Sequence, residues 1–414
     1  MWLYLLCCLT PGALCVCLPL RWLLKQEWPQ LRRMLYFPIA GQSRWEHRTQ
    51  RTRLLRRLGG KELVLRTDDD RRVHCVWIEH PGSRGASPDI KSTSAPGAAQ
   101  SSGGADDPPI ETPVVLLLHA NAMVLDDMID WAHYYLSLGC SVMLVTFWGY
   151  PDPEDEEGGS DLRSPSPTAA QSDSASLLGG DGSDDGLADR TPTEATMYLD
   201  AEAALRYVQQ VRRAPVERTL AHGLSIGGAC AASLGVRHPG LRVTLDQTFA
   251  SLSEVSMHVG TGLYDQLVLT KSPRSLVKPL KCCKPLLLRM AVAILVRMLF
   301  KTRAHNTKHA LCAPDRMDNL SKAAQIKGDV FAIFSEHDEM MPPDIATRLL
   351  AARYGRSATP ELMRSRVMCV PGGHCSFFGE FPDLAQHYHK YLVSSGFLEI
   401  GMLASMHARP PPRS

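Results

Sequence analysis

Six short, largely apolar runs recur along the chain, each bounded by turn residues: "PVVLLLH" (113–119), "CSVMLVTF" (140–147), "RTLAHG" (218–223), "LRVTL" (241–245), "DVFAIFS" (329–335) and "RVMCV" (366–370). A strand that is apolar at consecutive positions has no face to give to water, so it needs cover on both sides. Stretches of helical spacing lie between the runs. "DDMIDWAHYYLSLG" ends at Gly139. "TPTEATMYLDAEAALRYVQQVRR" opens with Thr191, places Pro192 in the first turn and runs about six turns. Further helices are expected after Ser225, from Pro343, and up to about Val393. Upstream, "ELVLR" and "RVHCVWI" flank "TDDDR" and read as an antiparallel pair. This alternation predicts an α/β fold whose mostly parallel sheet carries helices on both faces.

In such a sheet the strand carboxyl ends collect along one edge, and residues just beyond them converge. Three chemically telling residues are placed there. "HGLSIGG" (222–228) sets Ser225 between glycines after an apolar run, and "SIGGACAASLGV" continues as a helix. Strand, sharp turn and helix form the context of an exposed nucleophile, although a tight turn built from small residues would read the same way. A hydroxyl needs a base within reach, and the base needs a carboxylate to orient it. "FSEHDEMMPP" places Asp338 after one strand, and "VMCVPGGHCSFF" places His374 after the last. The chain order Ser, Asp, His is the one expected for this architecture. Glu336 and Asp246 remain rival acids, and Asp338 could instead cap a helix. His119 and His222 remain rival histidines, but at or inside strand ends they read better as packing or loop-tethering groups.

With "LLLHANAM", "TFWGYP", "HGLSIGG", "SEHDEMMP" and "PGGH" in this order, residues 61–395 resemble the α/β-hydrolase superfamily. The chain is most similar there to membrane-anchored serine hydrolases with an "HGN" oxyanion turn, a group that includes acyl-protein thioesterases and monoacylglycerol lipases. "DQTFASLSE" also resembles a "D-x-[TS]-F-x-SLS" stretch in a hydrolase-like group of intracellular bacteria. The resemblance implies a Ser225–Asp338–His374 triad, oxyanion donors at the amides of Asn121 and Ile226, no metal and no cofactor. It also implies an acyl-chain lipid or an acylated protein as substrate. One departure is His119-Ala120, where the family has His-Gly; glycine there eases backbone approach to the oxyanion. A catalytically inactive α/β-hydrolase-like membrane scaffold is the rival expectation.

Charge is segregated. The chain carries +2 overall, but 151–190 has an acidic excess of 9 and 82–112 an excess of 2, which leaves +13 on the rest. Both segments are rich in small and polar residues and read as low-complexity inserts. The first 20 residues, "MWLYLLCCLTPGALCVCLPL", contain no charged side chain, and a helix of that length spans about 30 Å. Arginines follow at 21, 32, 33, 44, 48, 51, 53, 56 and 57, an asymmetry that keeps the following chain cytoplasmic. A cleaved signal or a buried N-terminal helix is the alternative, and the sequon Asn319-Leu320-Ser321 would support the lumenal reading. The expected organisation is therefore a membrane anchor at 1–24, a basic juxtamembrane segment at 25–60, a hydrolase domain at 61–400 and a flexible tail at 401–414. A lid is expected at 251–325, where "PLLLRMAVAILVRMLF" (285–300) is apolar apart from Arg289 and Arg297 and suits a membrane surface. The basic surplus lacks the interleaved aromatics of a nucleic-acid face. Twelve cysteines at irregular spacing suggest buried thiols of a reducing compartment.

Overall fold

Val114–Leu118 has five consecutive aliphatic side chains, and all are completely buried as strand β3. Its neighbours show why. In a computed structural model, which describes residues 49–83, 110, 112–150, 192–265, 284–285, 289 and 316–399, β3 lies inside an eight-stranded sheet. The strands are β1 (Lys61–Arg66), β2 (Arg72–Ile78), β3, β4 (Ser141–Val145), β5 (Thr219–Leu224), β6 (Arg242–Asp246), β7 (Val330–Ser335) and β8 (Val367–Val370). Their order is β1-β2-β4-β3-β5-β6-β7-β8. β1 and β2 are antiparallel, as is β2 with β4, and every later pairing is parallel. This is the α/β-hydrolase fold.

Successive strand residues point to opposite faces, and the core divides accordingly. Leu116 and Leu118 join one apolar cluster, Val115 and Leu117 the other. The first face is covered by α2 (Glu194–Arg206), α3 (Ile226–Arg237) and α6 (Ile345–Tyr354), through Met197, Ala229 and Leu349 among others. The second is covered by α1 (Ile129–Ser137) and α8 (Pro382–Ser394), which contribute Trp131, Tyr135 and Tyr388. Each buried aliphatic side chain stabilises by about 1.5–3 kcal/mol, so continuous apolar strands are stable only in this two-sided position.

The eight expected strands are present, and several helix limits differ from expectation. α2 is capped by Thr193, not Thr191: its side chain accepts from the Thr196 amide. Pro192 therefore precedes the cap instead of occupying the first turn, and the helix proper ends at Arg206 in a π-helical turn, Tyr207–Val211. α6 begins at Ile345, after Pro343. Three helices had no expectation: α4 (Leu252–Tyr264), α5 (Asn319–Ala323) and α7 (Pro360–Arg366). α4 and α5 occupy the described ends of the expected lid, and Glu254 of α4 is held by a two-pronged ion pair from Arg348 of α6.

The apolar lid stretch 285–300, apart from positions 285 and 289, lies outside the described residues. So do the anchor 1–24, most of the basic segment, nearly all of both inserts and the tail. Residues 49–57 are helical and rest on the sheet domain. Leu54 there is fully buried, and Arg51 makes a two-pronged bond to the buried Asp126 carboxylate. Among the described residues no helix is long and apolar enough to cross a membrane. Asn319 of the sequon is completely buried in the folded domain and donates to the Phe249 carbonyl at 2.9 Å. The cysteine side chains at 75, 140 and 230 are buried.

Candidate active site

β5 ends at Leu224, and the chain turns directly into α3. Ser225 occupies that turn with φ 51° and ψ −112°, a left-handed backbone that costs a non-glycine residue about 1–3 kcal/mol. The surroundings hold it there. Its amide donates to the Asp246 carbonyl (2.8 Å), and its carbonyl accepts from the Thr248 hydroxyl (2.6 Å) and the Gly228 amide (3.0 Å). The flanking glycines answer to close approach. A Cβ on Gly223 would strike the Gly227 carbonyl, and one on Gly227 would strike the carbonyls of Leu118 and His119. Gly227→Ala is accordingly expected to cost about 1–3 kcal/mol, because backbone cannot yield as a side chain can. A thermal-unfolding midpoint equal to that of the wild type would contradict this packing.

The triad is assembled. His374 Nε2 lies 3.0 Å from Ser225 Oγ, and His374 Nδ1 lies 2.9 Å from Asp338 Oδ2. The second Asp338 oxygen accepts from the amides of Met340 and Met341, each at 2.9 Å. The carboxylate is thus oriented by its own loop, which is the capping-type role considered for it, while it also faces the imidazole. Burial would lower the His374 pKa, but the hydrogen bond to Asp338, with Cys375 beside it, outweighs burial and holds it above its ordinary 6.5.

The rival groups are engaged elsewhere. Asp246 accepts from His222 Nε2 (3.0 Å) and Trp131 Nε1 (3.3 Å), and His222 Nδ1 meets the Tyr135 hydroxyl at 2.7 Å. That whole group is buried away from Ser225 Oγ. Glu336 is exposed and contributes its amide to the Val370 carbonyl. His119 tethers a loop, as anticipated. Its Nδ1 donates to the Ala120 carbonyl (2.7 Å), and its Nε2 accepts from the Phe147 amide (3.3 Å). Burial pushes its pKa down to about 4, so it stays neutral.

The two expected oxyanion donors come from adjacent strand ends. Leu118 pairs with Gly223, so the turn carrying Asn121 and the turn carrying Ile226 leave the sheet side by side. Ile226 opens α3, and its amide has no partner within the helix. The Asn121 side chain accepts from the Tyr150 hydroxyl at 2.8 Å. The loop bearing Tyr150 is pinned by the Trp148 amide, which donates to the buried Asp200 (2.7 Å). Ala120 is not among the positive-φ residues and its side chain is buried in the core, while the left-handed residue of this turn is Ala122, φ 62°. Among the described residues no cluster could hold a metal ion.

Tyr150, Gln247, Thr248 and Ser335 were not expected at the site. All four lie in the stretches "TFWGYP", "DQTFASLSE" and "SEHDEMMP", which carry the family resemblance but give these four positions no role.

No protein-family model matches the chain, and no curated protein matches it. Several solved structures are similar in shape. An α/β hydrolase from Vibrio vulnificus has 12% identity and a TM-score of 0.46, covering 88% of this chain and 92% of its own. An esterase from Pyrococcus furiosus has 12% identity and a TM-score of 0.45, covering 81% and 91%. A hydrolase from Pseudomonas aeruginosa has 16% identity and a TM-score of 0.41, covering 80% and 98%. At such scores the strand order and the turn at Ser225 carry the assignment of the fold, and these likenesses add nothing to it.

Proposed function

We propose that this protein is a membrane-associated serine hydrolase that cleaves acyl esters or thioesters through an acyl-Ser225 intermediate, on a lipid or lipidated substrate. The observation that carries the reading is the continuous line from Asp338 through His374 to Ser225 Oγ, at 2.9 and 3.0 Å, ending on a strained turn.

The chemistry follows from that line. Ser225 Oγ attacks the substrate carbonyl carbon while His374 Nε2 takes the hydroxyl proton. Asp338 Oδ2 accepts the Nδ1 proton, which keeps Nε2 available as the acceptor. The amides of Asn121 and Ile226 stabilise the negative oxygen of the tetrahedral intermediate. His374 then returns the proton to the departing alcohol or thiol. In the second half His374 deprotonates water, which attacks the acyl-serine carbonyl and releases the carboxylic acid with Ser225 restored. Turnover of a short p-nitrophenyl ester by the full chain, with a fluorophosphonate probe attached at Ser225, is the expected result. Absence of both would remove the reading, and the inactive-scaffold alternative would take its place.

The membrane and lipid parts of the proposal rest on residues 1–24, on the arginines that follow and on the apolar stretch 285–300. Each cation near an anionic surface contributes about 1 kcal/mol before screening. Deleting residues 1–24 is therefore expected to release the protein from membranes while activity on a soluble ester survives. Protease protection of the catalytic domain in sealed vesicles would reverse the proposed cytoplasmic topology.

A further inference from the structure

Three consecutive polar residues at the carboxyl end of β6, Asp246, Gln247 and Thr248, are 0, 1 and 4% exposed, and none belongs to the triad. Such burial of polar groups is costly unless each is satisfied. Two of them act on the nucleophile's backbone: the Asp246 carbonyl takes the Ser225 amide, and the Thr248 hydroxyl caps the Ser225 carbonyl.

Gln247 acts on the base. Its backbone is left-handed, φ 47°, and its amide donates to the Ile333 carbonyl on β7 at 2.8 Å. Its side-chain Nε2 donates to the Ser376 carbonyl (2.9 Å) and to Asp246 Oδ1 (3.1 Å). Its Oε1 and the Gly373 carbonyl share the single Ser335 hydroxyl proton as a three-centre bond, at 3.0 and 2.8 Å from Ser335 Oγ. Gly373 and Ser376 lie on either side of His374 in the chain. Ser335 is the last residue of β7, three positions before Asp338. A single amide side chain at the end of β6 therefore meets the last residue of β7, the strand that delivers the acid, and holds the histidine loop directly at Ser376 and through Ser335 at Gly373. Glutamine combines two donors with an acceptor at that length, and a carboxylate or an aliphatic chain does not. The far end of the arrangement is stiff, because His222 and Trp131 hold the other Asp246 oxygen.

We propose that Gln247, together with Ser335, is a positioning residue for His374: it sets the distance from His374 Nε2 to Ser225 Oγ by gripping the loop on both sides. The proposal rests on the hydrolase reading above. It assigns a role to part of the "DQTF" stretch, which lies outside the triad. A displacement of about 1 Å at a reacting group is worth roughly 100-fold in rate, so such a grip matters to catalysis and not only to folding.

The test uses the full chain, a short p-nitrophenyl ester and fluorophosphonate titration of competent sites. Gln247→Met keeps length and volume and removes every side-chain hydrogen bond. The expected result is a fall in kcat per titrated site of about 10- to 100-fold, with KM within about twofold of wild type. Ser335→Ala, a smaller change that spares the Ser376 contact, is expected to lower kcat per site by about 3- to 10-fold. A purely structural role predicts fewer titratable sites or a lower Tm with kcat per site unchanged, and that result in both variants would overturn the proposal. Should Gln247→Met not fold, Ser335→Ala decides alone by the same criterion. Wild-type protein that neither turns over nor labels overturns the hydrolase reading and this proposal together. Wild-type turnover with an unchanged Gln247→Met overturns this proposal only.

Discussion

Replacing Ser225 by alanine is expected to lower kcat on a p-nitrophenyl ester by about 10⁶-fold and to abolish fluorophosphonate labelling. The size follows from what is lost. Without Oγ no acyl-enzyme forms, and His374 is left with a water that nothing holds in line. The oxyanion amides and substrate binding still supply a residue of catalysis, so activity falls close to the uncatalysed rate without reaching it. His374→Ala should be no worse, and the double variant should equal either single one, because the groups act as a unit. Fold is expected to be retained. The backbone contacts of Ser225 to Asp246, Thr248 and Gly228 do not involve its side chain, and alanine adopts φ 51° at a similar cost. Near-equal thermal unfolding with full loss of labelling is the informative combination. Equal labelling of both proteins would mean that another residue is the nucleophile.

Asp338→Asn is expected to lower kcat by about 10⁴-fold while leaving the loop in place. The direction is set by the amides of Met340 and Met341, which both donate to Asp338 Oδ1. In the variant they select the asparagine oxygen for that side and turn its NH₂ toward His374 Nδ1. The imidazole must then accept at Nδ1 and carry its proton on Nε2, where it cannot receive the serine proton. A pH signature accompanies the loss. In the wild type Asp338 holds the His374 pKa above 6.5 against the opposing effect of burial. Because the base works only when neutral, kcat/KM should rise with pH through that elevated value. Removing the carboxylate leaves burial unopposed by it, so the acid limb of the residual activity should move to lower pH. A pH–rate profile on the soluble ester measures this, and a limb that stays in place would exclude Asp338 as the partner of His374.

How much of this was legible beforehand depended on the range of the interaction involved. The apolar runs at 113–119 and 241–245 announce buried strands because burial on both faces acts on every residue of the run, whatever its neighbours turn out to be. The strand–turn–helix at Ser225 was readable for a similar reason. Gly223 and Gly227 leave a local mark, since the collision a Cβ would cause lies within four residues or against the adjacent strand. Helix starts were read less well. Thr193 is the cap because its side chain accepts from the Thr196 amide, and in the sequence Thr191 is an equally acceptable capping residue type.

The order of Ser225, Asp338 and His374 along the chain and the parallel sheet were determined by sequence alone, because strand direction brings loop ends together without reference to side-chain detail. Only the tertiary structure decided which acid faces which histidine. Asp246 ends one strand and Asp338 follows another, and Asp246 is turned inward to His222 and Trp131 while Asp338 is turned to His374. It also decided that Asn319 is buried, that the left-handed residue of the oxyanion turn is Ala122, and that Gln247 is hydrogen-bonded to a loop 129 residues away. These outcomes turn on single hydrogen bonds between distant segments. Such a bond contributes about 1 kcal/mol and imposes no spacing or composition on the chain, so it becomes visible only once the sheet has brought its partners together.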